Sequence, residues 1–95
     1  MAAYFIVDVK VENPELYEEY RKGVAHTLQL YGGTFLVRGG KCETIEGDWL
    51  PQRFVIVEFQ NAEQFQRWYH SPEYSEIRKI RFQASTSRAI LVQGV

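Results

Sequence analysis

Two carboxylates stand where strand periodicity leaves little room for charge. Asp8 alternates with Tyr4 and Ile6, and Glu58 alternates with Phe54 and Ile56, so each shares a face with apolar side chains. Arg38 follows Val37 in a third apolar run and comes within reach of Glu58 if the two strands are neighbours. A charge on a covered face persists only when it is paired and hydrogen-bonded. The trio Asp8, Arg38 and Glu58 therefore has two readings: a paired cluster that stabilises the protein, or the polar end of an aromatic pocket. With the first and third strands adjacent and parallel, both carboxylates come to the same end of the sheet. Two close carboxylates push one pKa up and so supply a general acid or base, which makes these three the candidate catalytic residues.

Around them stand aromatic side chains with polar tips. Tyr17 and Tyr20 fall on one helical segment, and Trp68, Tyr69 and Tyr74 on two others. Most of these pack a core or its rim; some can line a pocket for an apolar or aromatic ligand, and the five are the candidate substrate-binding residues. Arg38-Gly39-Gly40-Lys41 lacks the spacing of a phosphate loop and sits in a strand, so it reads as a bend at a dimer seam. Arg38 also has the planar fork that suits a carboxylate ligand. Neither His26 nor His70 has a second ligand at metal spacing, and Cys42 has no partner base, so no metal, no cofactor and no nucleophilic triad is expected.

The elements that carry these residues follow from pattern. Tyr4 to Val11, Phe35 to Arg38, Arg53 to Phe59 and Arg88 to Val92 alternate as strands, and Lys41 to Ile45 can continue the second beyond its glycines. Asn13-Pro14 caps and starts a helix with the stripe Leu16, Tyr20, Val24, Leu28 and Tyr31, which Gly32-Gly33 ends. Asn61 opens a second helix, with Gln64 in a box-like position, and Ser71-Pro72 restarts it as a third with Tyr74, Ile77 and Ile80 or Arg81 on one side. The order β-α-β-β-α-β, with the second helix split in two, gives an α+β ferredoxin-like fold: a four-stranded antiparallel sheet with helices on one face.

Length and composition bound the rest. Ninety-five residues make a single domain, 1–95, and 45% hydrophobic with 24% charged is the composition of a soluble folded protein. A net charge of −1 argues against nucleic-acid binding, and the third strand lacks the Gly-aromatic pattern of an RNA-binding sheet. Arg78, Lys79, Arg81 and Arg88 read as a solvated basic face. No apolar run is long enough to span a membrane. A lone cysteine, and a start without a basic signal-peptide region, point to a cytoplasmic protein. Six Tyr, six Phe and two Trp are many aromatics for so short a chain. Their excess is expected on the sheet face that the helices leave bare, with Tyr4, Ile6, Phe54, Ile56 and Leu91, and a second copy of the sheet is the expected cover.

Several runs together resemble the DUF1330 family of small dimeric α+β barrel proteins. They are Tyr17 and Tyr20, Tyr31-Gly32-Gly33-Thr34-Phe35-Leu36-Val37-Arg38-Gly39-Gly40, Glu46-Gly47, Arg53, Val55-Ile56-Val57-Glu58-Phe59, Trp68-Tyr69-His70-Ser71-Pro72-Glu73-Tyr74, Arg78 and Arg81. The likeness spans essentially the whole chain; His70 departs from it, standing where an amide such as Asn is expected. It implies a homodimer whose two sheets face each other, and it implies no reaction. The expected function is that of a homodimeric small-molecule-binding protein, acting on a small aromatic or unsaturated organic acid as a cofactor-independent enzyme. The alternative is a non-catalytic structural or ligand-binding dimer in which the charges only pair.

Overall fold

A computed structural model describes residues 1–95. Strand β1 (Ala3–Val11) leads into helix α1 (Pro14–Tyr31), followed by β2 (Thr34–Arg38), β3 (Arg53–Phe59), α2 (Ala62–Tyr69), α3 (Pro72–Ala84) and β4 (Ser85–Gln93). The sheet order is β2-β3-β1-β4, with every neighbouring pair antiparallel. This is the ferredoxin-like arrangement, in two layers only 16 Å thick across the shortest axis.

Local chemistry starts and stops the helices where the sequence signals them. The side chains of Asn13, Asn61 and Ser71 accept from the backbone N–H of Leu16, Gln64 and Tyr74, so each helix begins with one orphan donor satisfied. Gly32 closes α1 at φ 78°, a left-handed conformation that glycine adopts without steric cost. The Gln64 side chain does not complete a capping box. It donates instead to the Tyr31 carbonyl at 2.6 Å and ties α2 to the end of α1.

The core lies between helices and sheet. Phe5, Val7 and Val9 of β1 and Val57 and Phe59 of β3 meet Tyr17, Tyr20, Val24 and Leu28 of α1, with Phe65, Trp68 and Tyr74 from the shorter helices. Trp68 and Tyr74 stack with ring centroids 3.8 Å apart, and Trp68 Nε1 donates to Thr27 Oγ1 at 3.0 Å. The aromatic excess is therefore mostly in this layer. The bare face carries only Tyr4, Phe54 and, from the 39–52 loop, Trp49. Leu91 also leaves the bare face, since its partner across the ladder is Phe5, and Ile90 and Val92 take its place opposite Ile6 and Tyr4.

Two sequence expectations about strands change. β4 starts at Ser85, three residues before Arg88, because Val11 to Val9 continue the ladder to Ser85 and Ser87. Lys41 to Ile45 do not extend β2: Gly39, at φ 74°, donates to the Phe54 carbonyl and then turns the chain out of the sheet.

Candidate functional site

The three residues expected to act together are held apart by topology. β1 and β3 are antiparallel, not parallel, so Glu58 lies opposite Tyr4 and Asp8 lies opposite Phe54. Four residues separate the two carboxylates along the strands, about 13 Å at strand rise. In the split β-α-β-β order, β3 returns between β1 and the strand parallel to it, and so must run against both.

Arg38 is removed from Glu58 by a different device. Thr34 and Phe35 pair with Glu58 and Val57, but after an irregularity Val37 pairs with Ile56 and Arg38 with Val55. The one extra residue, Leu36, is a bulge that reverses the alternation. Without it Arg38 would point to the bare face, as Glu58 does. With it, Arg38 points to the helix side, its guanidinium 4.5 Å from the Phe35 ring.

Asp8 takes part in a local network on the bare face. It accepts from Trp49 Nε1 at 3.3 Å, from the Gln52 backbone N–H at 3.2 Å and from Arg88 at 3.2 Å. Burial works against its charge, but the bonds from Trp49, Arg88 and Gln52 outweigh it and hold the carboxyl below its ordinary value. This carboxylate pins the long loop to the sheet. Glu58 has no ion-pair partner within 4.0 Å.

On the helix side the chemistry is of the opposite sign. Arg21, Arg38, Arg53 and Arg81 line one cavity with Tyr17, Tyr20, Phe5, Val9 and Trp68, and no carboxylate is among the lining residues. The enclosed room is about 30 Å³, enough for about one water. Arg21 pairs with Glu18 at 3.1 Å, whereas Arg38, Arg53 and Arg81 pair with no carboxylate. The Nε atoms of Arg21, Arg53 and Arg81 are buried without a hydrogen-bond partner. Arg81 is only 3% exposed, and its Nη1 donates to Ser87 Oγ at 2.7 Å. An arginine stays charged at any physiological pH, so Arg38, Arg53 and Arg81 are cations that no carboxylate answers.

Two buried phenols complete the inner wall. Tyr20 and Tyr74 share a hydrogen bond of 2.9 Å between hydroxyls. Burial pushes both phenols up from their ordinary value, and that of Tyr20 well up, so both remain protonated at neutral pH. One hydroxyl donates to the other, and with Tyr74 as the donor the Tyr20 proton can serve an acceptor in the cavity that Tyr20 lines.

Of the aromatic residues expected to bind substrate, Tyr17, Tyr20 and Trp68 line this cavity, and Tyr74 stands behind it through Tyr20. Tyr69 lies elsewhere, under the guanidinium of Arg78 at 4.4 Å. Arg53 and Arg81 were not singled out as site residues, yet the signals were present. Arg53 is in register with Val55, Val57 and Phe59, and Arg81 falls seven residues after Tyr74 on a buried stripe. The basic tilt of the C-terminal third is thus not wholly a solvated face. Gly39 also belongs here: a Cβ at that position would collide with Arg53 Nη1, so only glycine leaves the guanidinium its place.

The ferredoxin-like fold and its sheltered cationic cavity define a class of small α+β protein with room between helices and sheet. Within that class, this chain belongs to DUF1330, a domain family of unknown function whose model matches residues 2–95. No curated protein matches the sequence. Among solved structures it is similar to RPA0582, a protein of unknown function from Rhodopseudomonas palustris, with 20% identity, 99% of this chain and 82% of the other covered, and a TM-score of 0.80. A dimeric ferredoxin-like protein of unknown function from Jannaschia sp. CCS1 matches at 13% identity over 99% of this chain and 100% of the other, with a TM-score of 0.72. SnoaB, a cofactor-independent oxygenase from Streptomyces nogalater, matches at 16% identity over 99% and 93%, with a TM-score of 0.63. At these identities the likeness is one of fold.

Proposed function

We propose that the protein is a homodimer in which each protomer binds a small organic acid in the cavity between helices and sheet. The observation that carries the ligand assignment is the convergence of Arg38, Arg53 and Arg81 on one apolar cavity, with none of the three paired to a carboxylate. A purely structural cluster needs its counter-charges inside the protein. Here Asp8 and Glu58, the acids expected to supply them, lie on the opposite face of the sheet. A carboxylate ligand would accept charge-assisted bonds from Arg53 and Arg81, while Phe5, Val7 and Trp68 would hold a flat apolar body.

Entry requires one side chain to move. The enclosed room is about 30 Å³, smaller than any organic acid. Arg38 is exposed, and its hydrogen bond to the Arg21 carbonyl is 3.5 Å long, at the limit for such a bond. Its outward swing opens the cavity to solvent. Catalysis, on this reading, belongs to the same cavity and not to an Asp8–Arg38–Glu58 triad; SnoaB supports it only as a case of cofactor-independent chemistry on this fold.

The dimer is supported by the bare sheet face and by relatives described as dimeric. Ile90 is 58% exposed and Val92 41%, beside half-buried Tyr4, Ile6, Phe54 and Ile56. A continuous apolar face of this kind is uncommon on a monomer, and an identical face across a two-fold axis would cover it.

Two measurements test the proposal. Light scattering should give about twice 11.1 kDa at micromolar concentration; the monomer mass overturns the dimer. Calorimetry with benzoate, cinnamate, crotonate and fumarate should show saturable binding of at least one acid, weakened at least tenfold but still measurable in Arg53→Gln with the dimer intact. If none binds, the ligand assignment fails.

A further inference from the structure

Resting on the organic-acid reading of this cavity, we infer that its ligand is a dicarboxylate, with one carboxylate answering Arg53 and the other Arg81. The cavity has two cationic ends. Arg53 lies across the ladder from Val9 on one side of β1, and Ser87 lies across from the same Val9 on the other. Arg53 and Ser87 are thus two strand spacings apart, about 10 Å between backbones, with the side chain of Val9 as floor between them. Arg81 is tied to the far side by its bond to Ser87 Oγ. Arg53 is held at the near side, its guanidinium against Gly39 and 5.6 Å from the Tyr17 ring.

Each end retains unused donors. The Nε atoms of Arg53 and Arg81 are both buried and unpartnered, and Arg81 is nine-tenths buried or more. The Tyr20–Tyr74 pair stands beside Arg81 and adds a neutral donor to that end. Arg38 adds a third unanswered cation at the mouth. One carboxylate has two oxygens and satisfies one guanidinium fork well; it leaves the other end desolvated and charged. Two carboxylates on a short spacer satisfy both, and the apolar floor at Val9 and Phe5 suits a spacer without hydroxyls.

The test compares acids that differ only in the second charge. Fumarate and crotonate share a four-carbon unsaturated skeleton, with a carboxylate in one where the other has a methyl group. Calorimetry on the wild-type dimer at fixed ionic strength should show fumarate, or its cis isomer maleate, binding at least tenfold more tightly than crotonate. In Arg53→Gln that preference should fall to within about twofold, with circular dichroism and dimer mass unchanged. Arg38→Gln should weaken both acids by a similar factor. If crotonate matches both dicarboxylates, the dicarboxylate assignment is overturned while the organic-acid reading stands. Sulfate binding as tightly as fumarate overturns it as well, because two charges on one centre need only one end. If no acid binds at all, both readings fall together.

Discussion

The two faces of the sheet use the same kind of strand for opposite ends. On the helix side, Phe5, Val7, Val9, Val57 and Phe59 are buried, and the charges that reach them are all arginines. On the bare side, Tyr4, Ile6, Phe54 and Ile56 are half-covered, and the charges among them are Asp8, Glu58 and Arg88, with Asp8 and Arg88 paired. On the bare face Asp8 is answered by Arg88 and anchors a loop, and Glu58 is left unpaired at the other end. Charge on the helix face is left open, in a place where leaving it open is expensive. A protein tolerates that imbalance where something from outside completes it. On the proposed reading, ligand chemistry belongs to one face and self-association to the other, one strand thickness apart.

The largest effect that would break this contrast comes from the helix-side core. Trp68→Ala removes a ring stacked on Tyr74 and bonded to Thr27, and should destabilise the fold by about 3–5 kcal/mol, read as a lower denaturant midpoint. A change under 1 kcal/mol would mean that this layer is not the core. Next comes the bare face: Ile6→Lys should leave each protomer folded but weaken the dimer by at least a hundredfold, read by sedimentation. A dimer of unchanged strength would remove that face from the interface. By contrast, Arg38→Ala should leave the dimer intact, because the bulge turns Arg38 away from that face.

Gly39→Ala probes the link between backbone and cavity. The left-handed conformation costs a non-glycine residue about 1 kcal/mol, and the added Cβ displaces the Arg53 guanidinium. Acid binding should fall at least tenfold while the melting temperature drops only a few degrees; unchanged affinity would show that the Arg53 position is not required. The smallest effect belongs to Asp8. Its folded-state pKa lies below the unfolded value of about 3.8, so its contribution is present above that pH and is lost as pH falls through the folded value. Asp8→Asn should cost under about 1 kcal/mol at pH 7 and should flatten the acid limb of the stability curve below pH 4. An unchanged acid limb would mean that its three bonds do not persist in solution.

Much of the site was legible in part. Tyr17, Tyr20 and Trp68 stood out as aromatics on inward helix faces, and they line the cavity. The fold was legible too, from caps at Asn13, Asn61 and Ser71 and from the β-α-β-β-α-β order. The acids were read onto the correct face but into the wrong company. Two features of the sheet separate them: β1 pairs with β3 antiparallel and not parallel, and a bulge breaks the alternation of β2. Neither strand direction nor a one-residue bulge changes which residues are apolar, so hydropathy carries no trace of them. Arg53 and Arg81 do not stand out in the sequence, because arginine on an apolar stripe reads as the stripe's edge until burial is known.

The sequence alone determined the elements, their caps and the family, since these depend on short-range preferences and periodicity within one segment. Which charges meet was decided only by tertiary structure. The bulge at Leu36 turned Arg38 over, antiparallel pairing carried Glu58 about 13 Å from Asp8, and the α3–β4 turn delivered Arg81 to Ser87. Electrostatic partnership depends on distance in space and on the side of a sheet, and a strand's side changes with every residue counted or miscounted.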